Sequence, residues 1–446
     1  MMRKLRRITR HVLVLVLTWA TAGGVAASPA IEHWTTDQGA AVYFVAAPEI
    51  PMLDVRLVFA AGSARDGAQP GVAALTNDLL TEGTATLSPD EFHGRLDATG
   101  AILGSGSLRD MAWLSLRTLT RAPERATALG LLADLLRAPR FDETNFTRQR
   151  DQALAGLKRA LESPGTLGSR AFFRALYGEH PYGSPPEGTA ESVARLTLAD
   201  LREFHARHYV ARNLTLAIVG ALSRDEAAAL ADTLSSALAA GAPAPALPPL
   251  PAYAPVTEHI EFGSAQSHVF VGQRGLARED PDYFPLLVGN HVLGGNGVVS
   301  LLFDEVREKR GLSYSVESHF EPMALNGPFV ASLQTSGKQL DEALAVLRRT
   351  LADYVEQGPE PAAFEAAKRN LVGGFPLRID NNSKLVENLA VIGFYRLPLD
   401  YLATYTRQVE AVTLEQAAEA MRRRIEPARF VQITVGQRAA TPAASR

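Results

Sequence analysis

The strongest constraint on the fold is an internal repeat. Residues 197–220 (TLADLREFHARHYVARNLTLAIVG) and residues 413–436 (TLEQAAEAMRRRIEPARFVQITVG) align without a gap, from a Thr-Leu start to a Val-Gly end. In each copy the threonine is a helix N-cap candidate, and a β-rich run ending in glycine follows the helical run. Two copies of this helix–strand unit predict an α+β fold built from two tandem α/β-sandwich domains that face each other.

A proline- and alanine-rich stretch separates the two copies. The stretch is AAGAPAPALPPLPAYAP, residues 239–255. Such a composition cannot pack a core and favours extended polyproline geometry, so we expect a semi-rigid spacer. It divides the chain into a domain over residues 28–238 and a second domain over residues 256–446, and each is of ordinary domain size.

The amino terminus has the pattern of a secretory signal peptide over residues 1–27. Five basic residues precede the apolar run HVLVLVLTWATAGGV, and the small residues VAAS place cleavage after Ala27. No later run reaches the ~18 apolar residues of a membrane span. We therefore expect a periplasmic protein, possibly secreted, with the Sec and twin-arginine routes left open and Sec favoured.

Composition excludes several functions. The chain has no cysteine, so disulfides, thiolate metal sites and cysteine nucleophiles are ruled out. Without residues 1–27 it carries 40 basic against 48 acidic residues, a formal charge of −8. Nucleic-acid binding rests on basic surface, so nucleic acid is not expected as a partner.

Several stretches resemble the pitrilysin/insulinase-type peptidases, the inverzincins with an H-x-x-E-H motif. They are GVAALTNDLLTEGT (71–84), FDETNFTRQRDQALAGL (141–157), HPYGSPPEGTAESVARLT (180–197) and VLGGNGVVSLLFDEVREKRGLSYSV (292–316). The resemblance covers nearly the whole chain after residue 27. It implies two repeated domains of the mitochondrial-processing-peptidase-like type, which together form half of a clamshell.

The resemblance also implies that the metal site is lost. In active members, two histidines and a downstream carboxylate bind zinc, and a glutamate between the histidines activates water. The corresponding residues here are Ala74, Asn77, Asp78 and, for the carboxylate, Gly156 with Ala155 beside it. Alanine and glycine offer no ligand atom, and an asparagine cannot act as a general base. We therefore expect no cofactor in this chain and a degenerate metal motif.

Other histidines do not rebuild a site by their pattern. His205 and His208 have a metal-like spacing on a helix, but an Arg- and Glu-flanked surface helix with a histidine at its favourable C-terminal end explains them better. His180 in the HPYG loop is expected to be structural or chamber-lining. His291 is expected to be packed or half-buried.

The second domain keeps a different part of the machinery. Arg307 and Tyr314 lie seven residues apart, on a predicted helix that stops at Gly311 and on the strand after it. In related active enzymes, an Arg and a Tyr with this spacing reach the zinc site across a chamber, where they donate hydrogen bonds to the substrate carbonyl and the developing oxyanion. The alternative is a surface arginine and a half-buried strand tyrosine.

A glycine-rich turn precedes this helix. The turn comprises Gly294, Gly295, Asn296 and Gly297, without the Gly-Lys-Ser/Thr ending of a phosphate loop. In relatives a loop at this place helps to hold peptide, and backbone groups of a loop or an edge strand can pair with an extended peptide. A purely structural turn remains the alternative.

Together these features predict the non-catalytic subunit of a heterodimeric zinc peptidase. Its partner would be a homologous subunit that bears H-x-x-E-H and the zinc ion, and its substrate a peptide or unfolded protein. This chain would bind peptide and supply Arg307 and Tyr314 in trans. Two other hypotheses are a scaffold or peptide-binding protein without a role in hydrolysis, and a hydrolase of another type, although no G-x-S-x-G elbow is present.

Overall fold

Eleven strands form two sheets, one on each side of the linker, within residues 30–438, which are the residues that the structure describes. The structure is a computed structural model. We call residues 30–238 the first half and residues 256–438 the second half. The predicted signal peptide lies outside the described residues. Between residues 30 and 438, no helix combines the length and the apolar character needed to cross a membrane.

The first sheet has six strands in the order β1-β2-β6-β3-β5-β4. Its strands are β1 (Glu32–Thr35), β2 (Ala41–Ala46), β3 (Met52–Phe59), β4 (Ile102–Ser107), β5 (Ala112–Leu119) and β6 (Leu214–Gly220). β6 pairs in parallel with β2 and antiparallel with β3, and all its residues are buried. Burial on both faces requires a continuous apolar run, which LTLAIVG supplies.

The second sheet repeats this arrangement in five strands, in the order β7-β11-β8-β10-β9. Its strands are β7 (Thr257–Glu261), β8 (Gln266–Arg274), β9 (Val316–Phe320), β10 (Pro328–Ser336) and β11 (Val431–Gly436). β11 pairs in parallel with β7 and antiparallel with β8, as β6 does with β2 and β3. Apart from β1, the two sheets share one topology, which confirms the predicted duplication.

Helices surround both sheets. Those of the first half are α1 (Val72–Leu80), α2 (Pro89–Asp97), α3 (Ala122–Arg137), α4 (Glu143–Ala160), α5 (Pro164–Tyr177), α6 (Ala190–Arg195), α7 (Leu198–His208) and α8 (Arg224–Ser236). Those of the second half are α9 (Tyr283–Asn290), α10 (Leu301–Phe303), α11 (Leu340–Gln357), α12 (Pro361–Gly374), α13 (Asn382–Phe394), α14 (Tyr401–Ala411) and α15 (Leu414–Arg424). Strands and helices in mixed order confirm the predicted α+β class.

The repeat found in the sequence corresponds to α7–β6 in the first half and α15–β11 in the second. The side chain of Thr197 accepts a hydrogen bond from the Asp200 N–H, and the Asp200 carboxylate accepts one from the Thr197 N–H. Thr413 and Gln416 form the same capping box. Each box satisfies N–H groups that the first helical turn leaves without a partner, so both predicted N-caps are confirmed.

One helix of each half packs on the sheet of the other half. α5 packs on β11 and β8, whereas α13 packs on β6, β3 and β2. A glycine lies at each contact and leaves no room for a side chain. A Cβ atom at Gly168 would collide with the ring of Phe270, and a Cβ atom at Gly393 would collide with Thr215 and the ring of Tyr43. The largest apolar core therefore contains side chains from both halves.

The linker is bound to the molecule along its length, which corrects the expectation of a spacer. Its side chains Leu247, Leu250 and Tyr253 pack on an apolar cluster shared by α5 and the second sheet. Its carbonyl oxygens accept hydrogen bonds from side chains of both halves: Pro245 from Arg65, Pro248 from His180 and Pro251 from Arg274. Proline lacks an N–H but keeps its carbonyl acceptor, so a proline-rich segment can be held by donors on one side.

Candidate functional site

Helix α1 carries three of the four positions that the resemblance assigns to the lost metal chemistry. The helix begins after Gly71, whose φ is +95°. The carboxylate of Asp66 accepts hydrogen bonds from the N–H groups of Gly71 (2.7 Å) and Ala73 (2.9 Å). Because these bonds satisfy N–H groups at the helix start, the helix is fixed locally without any metal.

Asn77, at the position of the family's general base, is fully buried. Its Nδ2 atom donates to the hydroxyl of Tyr209 on the segment after α7 (3.2 Å) and to the carbonyl of Trp113 on β5 (3.4 Å). Its Oδ1 atom has no hydrogen-bond partner among the described residues. The amide thus joins α1 to two neighbouring elements, which is a packing role.

The other degenerate positions also fail to provide ligands. Ala74 is half-buried on α1, and Gly156 lies on α4, the helix that packs against α1. A Cβ atom at Gly156 would meet nothing within 4 Å. Residues 30–438 contain no group of three or more side chains of the types His, Cys, Asp and Glu that could hold a metal ion. The residues at this place therefore do not fit zinc.

Two acids, Asp78 and Glu82, lie at and just after the end of α1. Glu82 is held by the side chains of Arg148 and Gln149 on α4. Desolvation by the surrounding helices and, second, the charge of Glu82 raise the pKa of Asp78 to about 6. Asp78 is itself exposed, and these two carboxyls alone do not supply the three protein ligands of a catalytic zinc site.

On α7, His208 is buried and His205 is half-buried, while Arg202, Glu203 and Arg207 on the other face are exposed, as expected for a surface helix. His208 is only 5% exposed, and burial lowers the pKa values of both His205 and His208 to about 4. His205 packs between the rings of Phe141 and Tyr209. Both imidazoles are thus neutral near pH 7, so the attraction between a charged imidazole and the helix dipole that the sequence suggested does not operate here.

The other two histidines considered in the sequence analysis, His180 and His291, have structural partners. The Nε2 atom of His180 donates to the linker carbonyl of Pro248 (3.0 Å), and its Nδ1 atom accepts from the N–H of Tyr182 (3.1 Å). His291 is buried, with its Nε2 atom 3.1 Å from the side-chain oxygen of Asn370. Both agree with the structural or packed roles expected from the sequence.

Arg307 and Tyr314 form one preorganised unit in the second half. The Nη1 atom of Arg307 donates to the main-chain carbonyl of Tyr314 (3.1 Å). Its guanidinium carbon lies 4.3 Å from the centre of the Tyr314 ring and 4.8 Å from that of Phe303. Tyr314 precedes β9 instead of lying on it, and 78% of the residue is exposed. The unit therefore presents a guanidinium and a phenol to the surroundings.

The glycine-rich turn is helical. Residues His291–Gly295 continue α9 as a π-helical turn, a form that often occurs at functional sites. Gly294 has no room for a side chain against Ser318 of β9. Gly295, Asn296 and Gly297 follow at the surface.

This segment separates two clefts. Asn296 lines the larger cleft, which has a volume of about 680 Å³ and extends to α11 and α12. Gly294, Gly295 and Gly297 line the smaller one, of about 330 Å³, which is closed on its other side by β9. The structure thus brings the glycine-rich turn close to β9, the strand that follows Tyr314. Arg307 and Tyr314 themselves belong to the half opposite α1.

A feature that sequence reasoning missed is the free edge of β4, next to α1. Leu108 N–H donates to the carbonyl of Met111, which fixes the hydrogen-bonding register of the β4–β5 hairpin. In this register the N–H and C=O groups of Leu103, Ser105 and Ser107 point away from β5. No described strand pairs with them.

The indole of Trp113 covers β4 on one face of the sheet. A Cβ atom at Gly106 would lie 2.7 Å from this indole, so the glycine leaves space for the ring to lie over β4. The guanidinium of Arg56 stacks on the indole at 3.8 Å. The alternation of glycine and serine in ILGSGS was the available signal, since small residues in a strand mark close approach of a ring or another backbone.

Two family models match the chain. The model described as insulinase (peptidase family M16) matches residues 42–190, and the model described as peptidase M16 inactive domain matches residues 195–371. The boundary between the two matches falls before α7, so together they extend from β2 to α12.

Solved structures and curated relatives resemble the same range. The crystal structure of a peptidase M16 inactive domain from Pseudomonas fluorescens is 39% identical, with a TM-score of 0.89 over 92% of this chain and 99% of that chain. An uncharacterized zinc protease of Mycobacterium leprae is 28% identical over 83% of each chain. A protease from Helicobacter pylori has the same fold at 19% identity, with a TM-score of 0.82 over 92% of this chain and all of that chain.

Proposed function

Because the chain belongs to peptidase family M16 and its residues do not fit the zinc of that family, we propose that it is the non-catalytic subunit of a zinc peptidase. In this proposal a homologous subunit with an H-x-x-E-H motif holds the metal. This chain contributes peptide-binding surface and places Arg307 and Tyr314 opposite the zinc site. A periplasmic location, set by the amino-terminal segment, is part of the proposal.

The observation that carries the proposal is the geometry of Arg307 and Tyr314. The arginine holds the main chain and the ring of the tyrosine at once, and the phenol stays exposed. A donor that is already positioned requires no reorganisation when charge develops on a substrate carbonyl. Removal of one such donor typically lowers kcat by about 10²–10³-fold.

The β4 edge supports the peptide-binding part. Leu103, Ser105 and Ser107 offer three unpaired N–H and C=O pairs along about 13 Å of strand, enough to align an extended segment of about five residues. A peptide that pairs here would add a seventh strand to the first sheet. Main-chain pairing of this kind gives affinity with little dependence on sequence.

The same edge also supports a second candidate, a peptide-binding scaffold without a role in hydrolysis. Strand addition at β4 uses no atom of Arg307 or Tyr314. In that case the peptide would bind, but substitution of the arginine and the tyrosine would have no effect on turnover by any partner.

The test combines this chain with a zinc-bearing H-x-x-E-H homologue and measures hydrolysis of an unfolded polypeptide. We expect Tyr314→Phe to lower kcat by about 10²-fold or more, and Arg307→Lys to lower it as well. Tyr253→Phe in the linker and Arg310→Lys, three residues after Arg307, are the matched controls. Equal activity of the Tyr314→Phe and Tyr253→Phe mixtures would exclude the trans contribution.

Peptide binding is tested separately with this chain alone. Ser105→Pro removes an N–H that points to the free edge and leaves the β4–β5 hydrogen bonds intact, whereas Ser105→Thr keeps the N–H. We expect the proline variant alone to lose affinity for a fluorescent unfolded peptide. Unchanged binding by the proline variant would refute docking at β4. Binding without any effect on turnover would favour the scaffold.

A further inference from the structure

We propose that Asp110 fixes the angle between the two halves, because its buried carboxylate accepts hydrogen bonds from both of them at the tip of the β4–β5 hairpin. Asp110 lies in the two-residue turn of that hairpin and is 6% exposed. Neither the resemblance nor the repeat assigns it a role.

Three donors from three elements converge on this carboxylate. The Tyr182 hydroxyl, from the HPYG loop of the first half, donates to Oδ1. The Tyr395 hydroxyl, at the end of α13 in the second half, donates to Oδ2 at 2.9 Å. The N–H of Ala324, in the loop between β9 and β10, donates to the same Oδ2 atom at 2.7 Å. We call this set, with the N–H of Leu325 that donates to the Tyr182 hydroxyl at 3.3 Å, the Asp110 latch.

The Asp110 latch lies where the edge hairpins of the two sheets meet, so it can affect the angle between the sheets. β4–β5 is the edge hairpin of the first sheet, and β9–β10 is the equivalent edge hairpin of the second. Asp110 in the turn of the first bonds Ala324 in the loop of the second. The two edge hairpins, one with the free edge of β4 and the other with the strand that follows Tyr314, are thus joined at their turns.

The charge of the latch is compensated from the first half. Arg65 and Arg109 lie close enough that the Asp110 carboxylate opposes the lowering of their pKa values by burial. The Arg109 Nε atom also donates to the Tyr182 carbonyl at 3.2 Å. A buried carboxylate needs such partners, and loss of one partner leaves the others unsatisfied.

An asparagine replaces this group only in part. An amide has one acceptor oxygen, and its NH₂ group can face only Tyr182, because that hydroxyl can accept a hydrogen bond whereas the Ala324 N–H cannot. Asp110→Asn therefore reverses one hydrogen bond and replaces charge-assisted bonds to both halves by weaker neutral ones. By contrast, Asp54 on β3 is equally buried, and its hydrogen-bond partner Arg117 lies in the same sheet (2.9 Å), so Asp54→Asn breaks no hydrogen bond between the halves.

The test measures the distance between the halves in the chain alone. The sequence contains no cysteine, so Ala126→Cys on α3 and Ala345→Cys on α11 introduce two unique, exposed spin-label sites. We expect Asp110→Asn to broaden the distance distribution and shift it to longer values, whereas Asp54→Asn leaves it unchanged. Tyr395→Phe, which removes the second-half hydroxyl alone, should give an intermediate result.

Identical distributions for the Asp110→Asn and Asp54→Asn proteins would overturn the proposal and leave Asp110 as an ordinary buried acid. If Asp110→Asn does not fold, Tyr182→Phe and Tyr395→Phe decide, because each removes one donor only. An unchanged distribution in the protein with both phenylalanines would likewise overturn it. The consequence for Tyr314 and β4 rests on the proposed function, but the distance measurement needs no partner, so the two can fail independently.

Discussion

The same substitution should have opposite effects at two helical glycines. Gly156 lies inside α4 at the degenerate carboxylate position, and a Cβ atom there would have nothing within 4 Å. Gly393 lies in α13, where a Cβ atom would be 2.6 Å from Thr215 Cγ2 and from two ring carbons of Tyr43. Replacement of either glycine by alanine removes the same conformational freedom from the unfolded chain.

The magnitudes follow from these surroundings. Gly156→Ala should raise the free energy of unfolding by about 0.8–1 kcal/mol, the difference in helix propensity. At Gly393 the same gain is offset by overpacking, which costs about 1–3 kcal/mol, because α13 must move away from the first sheet. The net effect there should be a loss of up to about 2 kcal/mol. With an unfolding entropy of about 2.1 cal/mol/K per residue over ~400 residues, these changes correspond to about +1 °C for Gly156→Ala and a fall of up to about 2 °C for Gly393→Ala in Tm.

Differential scanning calorimetry at one scan rate, with both variants and the parent protein in the same buffer, resolves shifts of this size. Hydrogen exchange of α4 and α13 amides shows whether each effect is local to its helix. A destabilised Gly156→Ala protein would refute the reasoning at the degenerate site, since it would mean that the space beside Gly156 is not free. A stabilised Gly393→Ala protein would refute the close packing of the exchanged helix.

Three further predictions concern charge, the linker and metal. Since the pKa of His208 is about 4 in the folded state and about 6.5 when unfolded, its contribution to stability is complete above pH 6.5 and is lost as the pH falls towards 4. Between pH 7 and 4, the free energy of unfolding of the His208→Leu protein, measured by urea titration, should therefore fall by about 3 kcal/mol less than that of the parent protein. An equal fall in both proteins would contradict this. His180→Ala should speed proteolysis of residues 239–255, whereas the exposed His93→Ala should not. The purified, dialysed chain should carry no stoichiometric zinc by elemental mass spectrometry, and one equivalent would refute the assignment of the degenerate site.

The sequence predicted the local units of this fold because their signals are local. Thr197 and Thr413 are capping residues whose partners lie three positions away, and β6 and β11 are runs of β-favouring residues that end in glycine. The exchange of α5 and α13 between the halves carries no such signal. The pattern of an amphipathic helix indicates which face is buried, but not which sheet covers that face. Gly168 and Gly393 were the available signals of close contacts.

The candidate site shows the same difference between local and long-range signals. The positions of Ala74, Asn77 and Gly156 follow from a linear motif, so the helices that carry them could be placed from the sequence. How deeply His205 and His208 are buried depends on what packs over α7, and their charged neighbours in sequence indicate only the exposed face of that helix. The Asp110 latch joins Asp110 to Tyr182 and Tyr395, which lie 72 and 285 positions further along the chain. No pattern within a short stretch of sequence connects residues so far apart.

The burial of the two candidate regions leads to a physical argument about their roles. Asn77 is fully enclosed and bonds two neighbouring elements, so its substitution would alter stability and activity together. Tyr314 is exposed, buries little apolar area and bonds the fold mainly through its backbone carbonyl. Removal of its hydroxyl should change the free energy of unfolding by no more than about 0.5 kcal/mol, as for other surface substitutions. A large loss of turnover in the Tyr314→Phe mixture therefore could not arise from misfolding. Because effects on stability and activity can be separated at Tyr314 but not at Asn77, substitution of Tyr314 is the clearer test of the function of the chain.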